Sequence, residues 1–392
     1  MRRIIIRVST VAALTALMGM GAVGLGAGPV QAAGNKPLPV PGVPETLASG
    51  LLSPLSLTLG SSQSVYFTQN FAGSLDKLDA KGAVSTVYQA SVPGHEVGAV
   101  SSRFGRTYFA ENAGAGEDPA PNIGIIKSIT SAGKVRSIAD VAQYEATHNP
   151  DASVTYGFRD LDAACLQQIP DTLPGSYTGV TDSHPYATEP GLFEIYVADA
   201  GGNDIVAVNQ FTGRVRTVAV LPPSITHVTA ALAASFGLPD CAAGHDYYFE
   251  PVPTDIRWGR DGWLYVSTLP GGPEGAALGA RGSVYKVSPW FSTVRLVASG
   301  LVSPTGLAVS RSGDIYVAEL FGGQISVIPR GTSTAQPFLA VPLPADVAIR
   351  GGTLYATVNA LPGDGTPPAG QIIKVPLNTG DENYPSMNQY DD

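Results

Sequence analysis

A tyrosine-centred strand phrase recurs six times, each copy is followed by a companion phrase, and an orphan strand at the front matches the last strand of a later unit. Together these predict an all-β chain: a six-bladed β-propeller of four-stranded blades, its ring closed by an N-terminal strand that completes the last blade. The 392 residues are 44% hydrophobic and 14% charged, with 46 Gly and 32 Pro, a composition that suits a globular, loop-rich chain and not a disordered one.

The first element is a leader. Arg2, Arg3 and Arg7 precede the apolar run VAALTALMGMGAVGLGAG, and Val30-Gln31-Ala32 offers a small-residue cleavage site. That order of a basic end, an apolar stretch and a small-residue exit predicts a signal peptide over 1–32 and export from the cytoplasm. No later stretch is long and apolar enough to span a membrane, so no membrane insertion is expected once the leader is cleaved. Residues 33–41 read as a linker, 42–378 as the propeller and 379–392, TGDENYPSMNQYDD, as a flexible acidic tail. Removing three Arg from the 23 Lys and Arg leaves 20 against 32 acids, a balance of −12. Such a charge disfavours nucleic acid and anionic membrane surfaces as partners.

The repeat unit comes next. Its second strand carries Tyr66, Tyr108, Tyr196, Tyr265, Tyr316 or Tyr355, in runs such as EIYVADA and DIYVAEL that keep no helical period. Its third strand reads GSLDKL, GIIKSI, NDIVAV, GSVYKV, GQISVI or GQIIKV. An innermost strand begins 11 or 12 residues before each tyrosine, at Pro54, Pro185, Pro253, Pro304 and Pro344, with Glu96 in that place in the second copy. A fourth strand follows most units, as in AVSTVYQ and TVRLVAS, but the sixth lacks one. ETLASGLLSPLSLTL at 45–59 matches RLVASGLVSPTGLAV at 295–309 and supplies it, which removes two exposed sheet edges.

The loops predict where function sits. From the tyrosine to the third strand there are nine residues in odd units but 18, 19 and 17 in even ones. These long loops share one face, here called upper, with two insertions at about 144–183 and 222–251. Loops of that length on one face of a repeat protein point to binding. THVTAALAASFG in the second insertion reads as a short helix capped by Thr226 and ended by Gly237. Cys165 and Cys241 lie one in each insertion. An exported chain with two cysteines favours a disulfide over free thiols, and there is no CxxC or CxxH for zinc. Its 76-residue span would contribute roughly 3–4 kcal/mol in the chain-entropy model.

His95, His148, His184, His227 and His245 all fall in or beside connections on that upper face, near Glu96, Asp182, Asp255 and Asp346 at the starts of inner strands. The predicted ligand-binding set is His95, Glu96, His184, Tyr186, Asp255 and Asp346. A divalent cation, Ca²⁺ or Zn²⁺, held by His184 and Asp255 would act as a Lewis acid on a lactone or ester. Against this, polar loops gather histidines without function, and no HExxH or EF-hand spacing is present. Glu111, Asp199 and Glu319 recur three residues after the blade tyrosine and read as structural turn caps. No nucleophile elbow, phosphate loop or dinucleotide fingerprint appears.

PTGLAVSRSGDIYVAE at 304–319 resembles the inner-strand phrase of NHL-type propellers. ADVAQYEATHNPD (139–151), DSHPYA (182–187), YVADAGGNDIVAVN (196–209), RVRTVAVLP (214–222) and PVPTDIRWGRDGWLYVST (251–268) resemble the ScyD/ScyE family over nearly the whole mature chain. That resemblance implies an exported six-bladed propeller; the family is named for genes linked to a cyanobacterial sunscreen pigment, scytonemin. His184 and Asp255 stand where Asn and Gly are expected from it, so the ligand here would differ. The reading is a secreted, monomeric propeller binding a small molecule, glycan or protein on its upper face. The alternatives are a metal-dependent hydrolase, lactonase or lyase at the channel mouth, and a structural envelope protein. Tyr156, Phe158, Tyr186, Tyr247, Tyr248 and Phe249, if they line the upper loops, would favour glycan or small-molecule binding.

Overall fold

The computed structural model describes residues 38–116, 121–273, 278–363 and 365–378. The expected leader at 1–32 and the acidic tail at 379–392 lie outside the described residues, as does most of the linker. The chain is all-β, built from antiparallel sheets. Six of them, sheets 1 to 6, follow in chain order over 57–89, 96–140, 185–220, 253–301, 304–340 and 347–378. Sheets 1 to 5 are four-stranded meanders. Sheet 6 has three strands of its own, and Glu45–Leu51 pairs antiparallel with its Gly370–Asn378 strand.

Alternation along these strands puts apolar side chains on both faces, and each sheet buries them against its neighbour. Leu75 of sheet 1 packs with Val97 and Phe109 of sheet 2, and Ile126 of sheet 2 with Ile195 and Val197 of sheet 3. Ile205 and Leu221 meet Ile256 and Val266 of sheet 4, whose Val284 meets Leu307 and Val317 of sheet 5. Tyr316 and Val327 meet Val347 and Leu354 of sheet 6, and Ile372 packs with Leu57 and Phe67 of sheet 1. Tyr316 and Phe67 are wholly buried, so truncating either to Ala would cost about 3–5 kcal/mol.

The inner strands start with a bulge that sets the direction of the side chains after it. Register shifts follow Pro185, Pro253 and Pro304. The residue just past each proline then faces inward or toward the next sheet: Thr254 donates its hydroxyl to the carbonyl of Pro304, and Thr305 to that of Ala345. One residue further on lies a second set of inter-sheet bonds. The N–H of Val100 donates to Ser56 Oγ, that of Leu307 to Asp255 Oδ2 and that of Leu57 to Asp346 Oδ2. At the matching place in sheet 5, Gly306 sits where a Cβ would fall 2.6 Å from the Cα of Asp346, so only glycine fits.

The two insertions build a seventh sheet that the sequence did not announce. Thr155–Phe158 and Ser176–Thr178 from the first insertion pair with Ser224–His227 and Asp246–Phe249 from the second. The Cys165–Cys241 disulfide joins the two insertions beside it. The helix of the second insertion is Ala230–Ser235, and its cap is Thr229, whose Oγ1 accepts from the N–H of Leu232 at 3.2 Å. Thr226, the expected cap, is instead paired in the strand opposite Tyr247. Gly237 ends the helix at φ +65° as expected.

Candidate functional site at the channel mouth

Inner strands bring their first residues together from several sheets. Glu96 begins the inner strand of sheet 2, and His184 immediately precedes that of sheet 3. His184 Nε2 lies 3.4 Å from Glu96 Oε2, with both side chains about 30% exposed. The ring of Tyr186 stands edge-on to His184, centroids 5.9 Å apart. Burial alone would lower the His184 pKa, but the contact with Glu96 outweighs it and the net shift is upward. Burial likewise raises Glu96, and the same contact outweighs it and brings it down. Burial raises the Tyr186 phenol, and Glu96, Asp346 and Asp255, carboxylates from sheets 2, 6 and 4, push it further. Tyr186 therefore stands where these sheets converge.

Arg257 links two of these carboxylates. Its Nη1 is 2.6 Å from Asp255 Oδ1 on its own strand, and its Nη2 reaches Asp346 Oδ2 of sheet 6 at 3.5 Å. Sheets 4 and 6 are not neighbours, so the guanidinium joins inner strands two sheets apart. Burial pushes Asp255 and Asp346 up, and Arg257 and backbone N–H donors draw both part of the way back. Glu189, further along the inner strand of sheet 3, is raised by burial to about 7 despite Arg257.

The expected set divides on this geometry. Glu96, His184 and Tyr186 come together at the mouth. Asp255 and Asp346 each already accept two backbone N–H groups, from Ile256 and Leu307 and from Val347 and Leu57. Their first role is to stitch inner strands and hold Arg257. His95 turns away: its Nδ1 meets Glu111 Oε1 at 2.6 Å, in a network where Lys127 and Tyr88 donate to the same carboxylate. His148 stacks on Tyr144, His227 meets Asp246 and His245 meets Asp160, so these three do not join the mouth. Among the described residues, no three His, Cys, Asp or Glu side chains are grouped to hold a metal ion. His184 is paired with Glu96, and Asp255 with Arg257 and two backbone N–H groups, so the expected His184–Asp255 cation pair is not seen in contact.

The aromatic residues also divide. Tyr156, Phe158, Tyr247 and Phe249 are buried; Phe158, Tyr247 and Phe249 share one core cluster, with Phe158 and Tyr247 edge-to-face at 5.0 Å, while Tyr156 donates its hydroxyl to Asp151 Oδ2 at 3.0 Å. Tyr248 is covered by the Arg159 guanidinium at 3.6 Å. Of the six, Tyr186 alone reaches the mouth. Arg257 and Glu189 were missed by sequence reasoning, although Arg257 lies two residues after Asp255 and so on the same strand face.

Behind His184 lies a buried carboxylate cluster. Asp199 Oδ2 accepts from Ser183 Oγ at 2.6 Å, and its Oδ1 accepts the backbone N–H of His184 at 2.5 Å and those of Gly201 and Gly202 at 3.2 Å. A Cβ on Gly202 would lie 3.4 Å from Asp204 Oδ1 and from Glu145 Oε2, so both carboxylates face it. Asp204 is wholly buried, and neither of its oxygens finds a hydrogen-bond donor among the described residues. Burial, then Asp199, Glu145 and Asp151, hold Asp204 well above the usual range; burial first raises Glu145 to about 8. Both acids resist ionisation in the fold.

No protein-family model and no curated protein sequence matches the chain. Its fold matches solved structures of low identity. The PQQ-bound aldose sugar dehydrogenase of Streptomyces coelicolor is 14% identical, with 87% of this chain and 99% of that one covered and a TM-score of 0.53. The gluconolactonase XC5397 of Xanthomonas campestris is 12% identical, with 89% and 99% covered and a TM-score of 0.52. A putative glucose dehydrogenase of Thermus thermophilus is 14% identical, with 85% and 99% covered and a TM-score of 0.53. At these identities the likeness concerns the fold alone: the chain is a propeller-like all-β protein with a disulfide.

Proposed function

We propose that sheets 1 to 6 are the blades of a six-bladed propeller closed by Glu45–Leu51, exported as the ScyD/ScyE resemblance implies, which binds a small polar molecule at the channel mouth. One observation carries the reading: Glu96, His184 and Tyr186, from sheets 2 and 3, meet where Arg257 joins the inner strands of sheets 4 and 6. The mouth offers an acceptor in Glu96, a donor in the Tyr186 hydroxyl and a ring nitrogen in His184, a combination suited to a hydroxyl- or amine-bearing ligand. The wider loop face would add contacts to a glycan. The disulfide supports an extracytoplasmic location.

A hydrolase or lyase is the second reading, because a His–Glu pair with a nearby phenol is hardware for general acid–base chemistry. The neighbours' activities on sugars and lactones make aldoses and aldonolactones sensible first probes. The test is calorimetric titration of aldoses, aldonolactones and amino sugars into the protein and into His184→Ala and Tyr186→Phe. Saturable binding weakened at least about tenfold by His184→Ala supports the mouth. Equal binding by all three proteins sinks it, and lactone turnover lost with Glu96→Gln would select the enzyme reading.

A further inference from the structure

The hairpins of sheets 2 to 4 on the lower face, opposite the mouth, carry a set of side chains that the proposed function does not use. The hairpins that join first to second strand and third to fourth strand all lie on this face. Phe104, Leu192, Phe193, Phe211, Trp290 and Phe291 stand at their tips, between 65% and 80% exposed. All six belong to sheets 2, 3 and 4. The matching hairpins of sheets 1, 5 and 6 (60–64, 79–83, 310–314, 329–335 and 351–352) contain no aromatic residue.

Bonds between neighbouring hairpins make the set one surface. Arg103 Nη1 donates to the carbonyl of Pro190 at 2.7 Å, and Arg136 Nη2 to that of Phe211 at 3.0 Å, joining sheets 2 and 3. Arg216 Nη2 donates to the carbonyl of Pro289 at 3.2 Å, joining sheets 3 and 4, where Trp258 and Trp290 lie 6.4 Å apart.

The charge of this surface reverses that of the chain. Arg103, Arg106, Lys134, Arg136, Arg214, Arg216 and Arg260 stand at or beside these hairpins, against Glu194 and Asp261. Seven cations against two carboxylates give +5, in a chain whose formal net charge is −9. Arg214 and Arg260 are exposed.

We infer that the lower face of sheets 2 to 4 docks on an anionic lipid surface, with the aromatic tips seated in the headgroup region and the arginines over the phosphates. Isolated side chains on convex hairpin tips suit a fluid interface, which closes around each tip, better than a partner protein that must match their shape. Aromatic rings between arginines favour the same boundary between apolar and charged layers. The overall acidity argued against such a partner, but within a Debye length of roughly 8 Å a surface responds to the local charge. No helix among the described residues is long and apolar enough to cross a membrane.

The test is co-sedimentation of residues 33–392, which retain every described residue, with vesicles of phosphatidylcholine alone or with about one third phosphatidylglycerol. Expected is binding at least about tenfold tighter to the anionic vesicles, weakening as salt rises, with a blue shift of tryptophan emission. Trp290→Ser with Phe291→Ser, and separately Arg214→Glu with Arg260→Glu, should each lower it about tenfold or more at an unchanged melting temperature. His184→Ala at the mouth should leave it intact, which separates this inference from the proposed ligand site. Equal sedimentation with both vesicle types, or undiminished binding by either double variant, overturns it. So does self-association that the same substitutions abolish in the absence of binding to vesicles.

Discussion

Replacing Asp255 by Ala should damage the fold before it damages any ligand site. The carboxylate is 2% exposed and accepts the backbone N–H of Ile256 and of Leu307, both at 2.7 Å, while meeting Arg257 at 2.6 Å. Its loss leaves two buried donors without their acceptor, at about 1–3 kcal/mol each. Arg257 keeps Asp346 at 3.5 Å, and relief of the repulsion between the two aspartates returns part of the cost. The net expectation is about 3–5 kcal/mol, as for one partner of a buried ion pair. With an unfolding entropy near 2.1 cal/mol/K per residue over roughly 330 described residues, that lowers the melting temperature by about 4–7 °C. Urea unfolding and thermal melting of Asp255→Ala measure this directly. Adding Arg257→Met should recover part of the loss, because the pair is then removed together. A single variant within about 0.5 kcal/mol of the parent would refute the stitching role and return Asp255 to the ligand set.

Two further outcomes follow from the titrating groups. The His184–Glu96 pair stabilises most where both partners are charged: the His184 contribution, from a raised pKa, is full below about 6.5 and fades as pH rises through the folded value. The Glu96 contribution, from a lowered pKa, fades as pH falls below about 4.5 through its folded value. The stability difference between the parent and His184→Gln should therefore peak near pH 5–6, at no more than about 1 kcal/mol for so exposed a pair; a difference flat from pH 4 to 9 contradicts it. Asp204→Asn should stabilise the protein by about 1–3 kcal/mol at pH 8, and less at pH 5, because it removes a buried carboxyl whose ionisation is resisted only in the fold. Thermal melting after chelation and re-addition of Ca²⁺, Mg²⁺, Mn²⁺ or Zn²⁺ checks the premise: a parent that gains stability from an ion lost on Asp204→Asn shows the cluster to be a cation site instead.

The repeats were legible because each strand phrase is local and returns at a fixed offset from its tyrosine, so Tyr66, Tyr196 and Tyr316 announce equivalent strands. The pairing of Glu45–Leu51 with Gly370–Asn378 was legible for the same reason, since a missing phrase at one end matched a surplus one at the other. What the insertions do was not legible. Phe158 and Tyr247 meet across about ninety residues in strands of four residues, too short for a period to appear, so buried core aromatics read as loop aromatics. Thr226 and Thr229 are both sound caps for an alanine-rich helix, and only the strand pairing opposite Tyr247 decides for Thr229. The histidines were collected by the loops they share, but adjacency on a face is not adjacency in space: Glu111 holds His95 between sheets 1 and 2, and only His184 turns inward.

His184 owes that direction to a segment outside the channel. Its backbone N–H is held by Asp199, and Ser183 just before it is held by the same carboxylate and, through its own N–H, by Asn122 Oδ1 at 3.0 Å. The turn can lie so close only because residue 201 is glycine, where a Cβ would fall 2.9 Å from the nitrogen of His184. Asn203 continues the turn at φ +57° and donates to Asp151 Oδ2 at 3.0 Å, tying it to the first insertion. The Asp199–Asp204 stretch therefore touches no ligand in this reading yet fixes the backbone from which the mouth histidine projects. A change there acts on binding through position alone, which is why the most distinctive phrase of the sequence lies behind the candidate site and not in it.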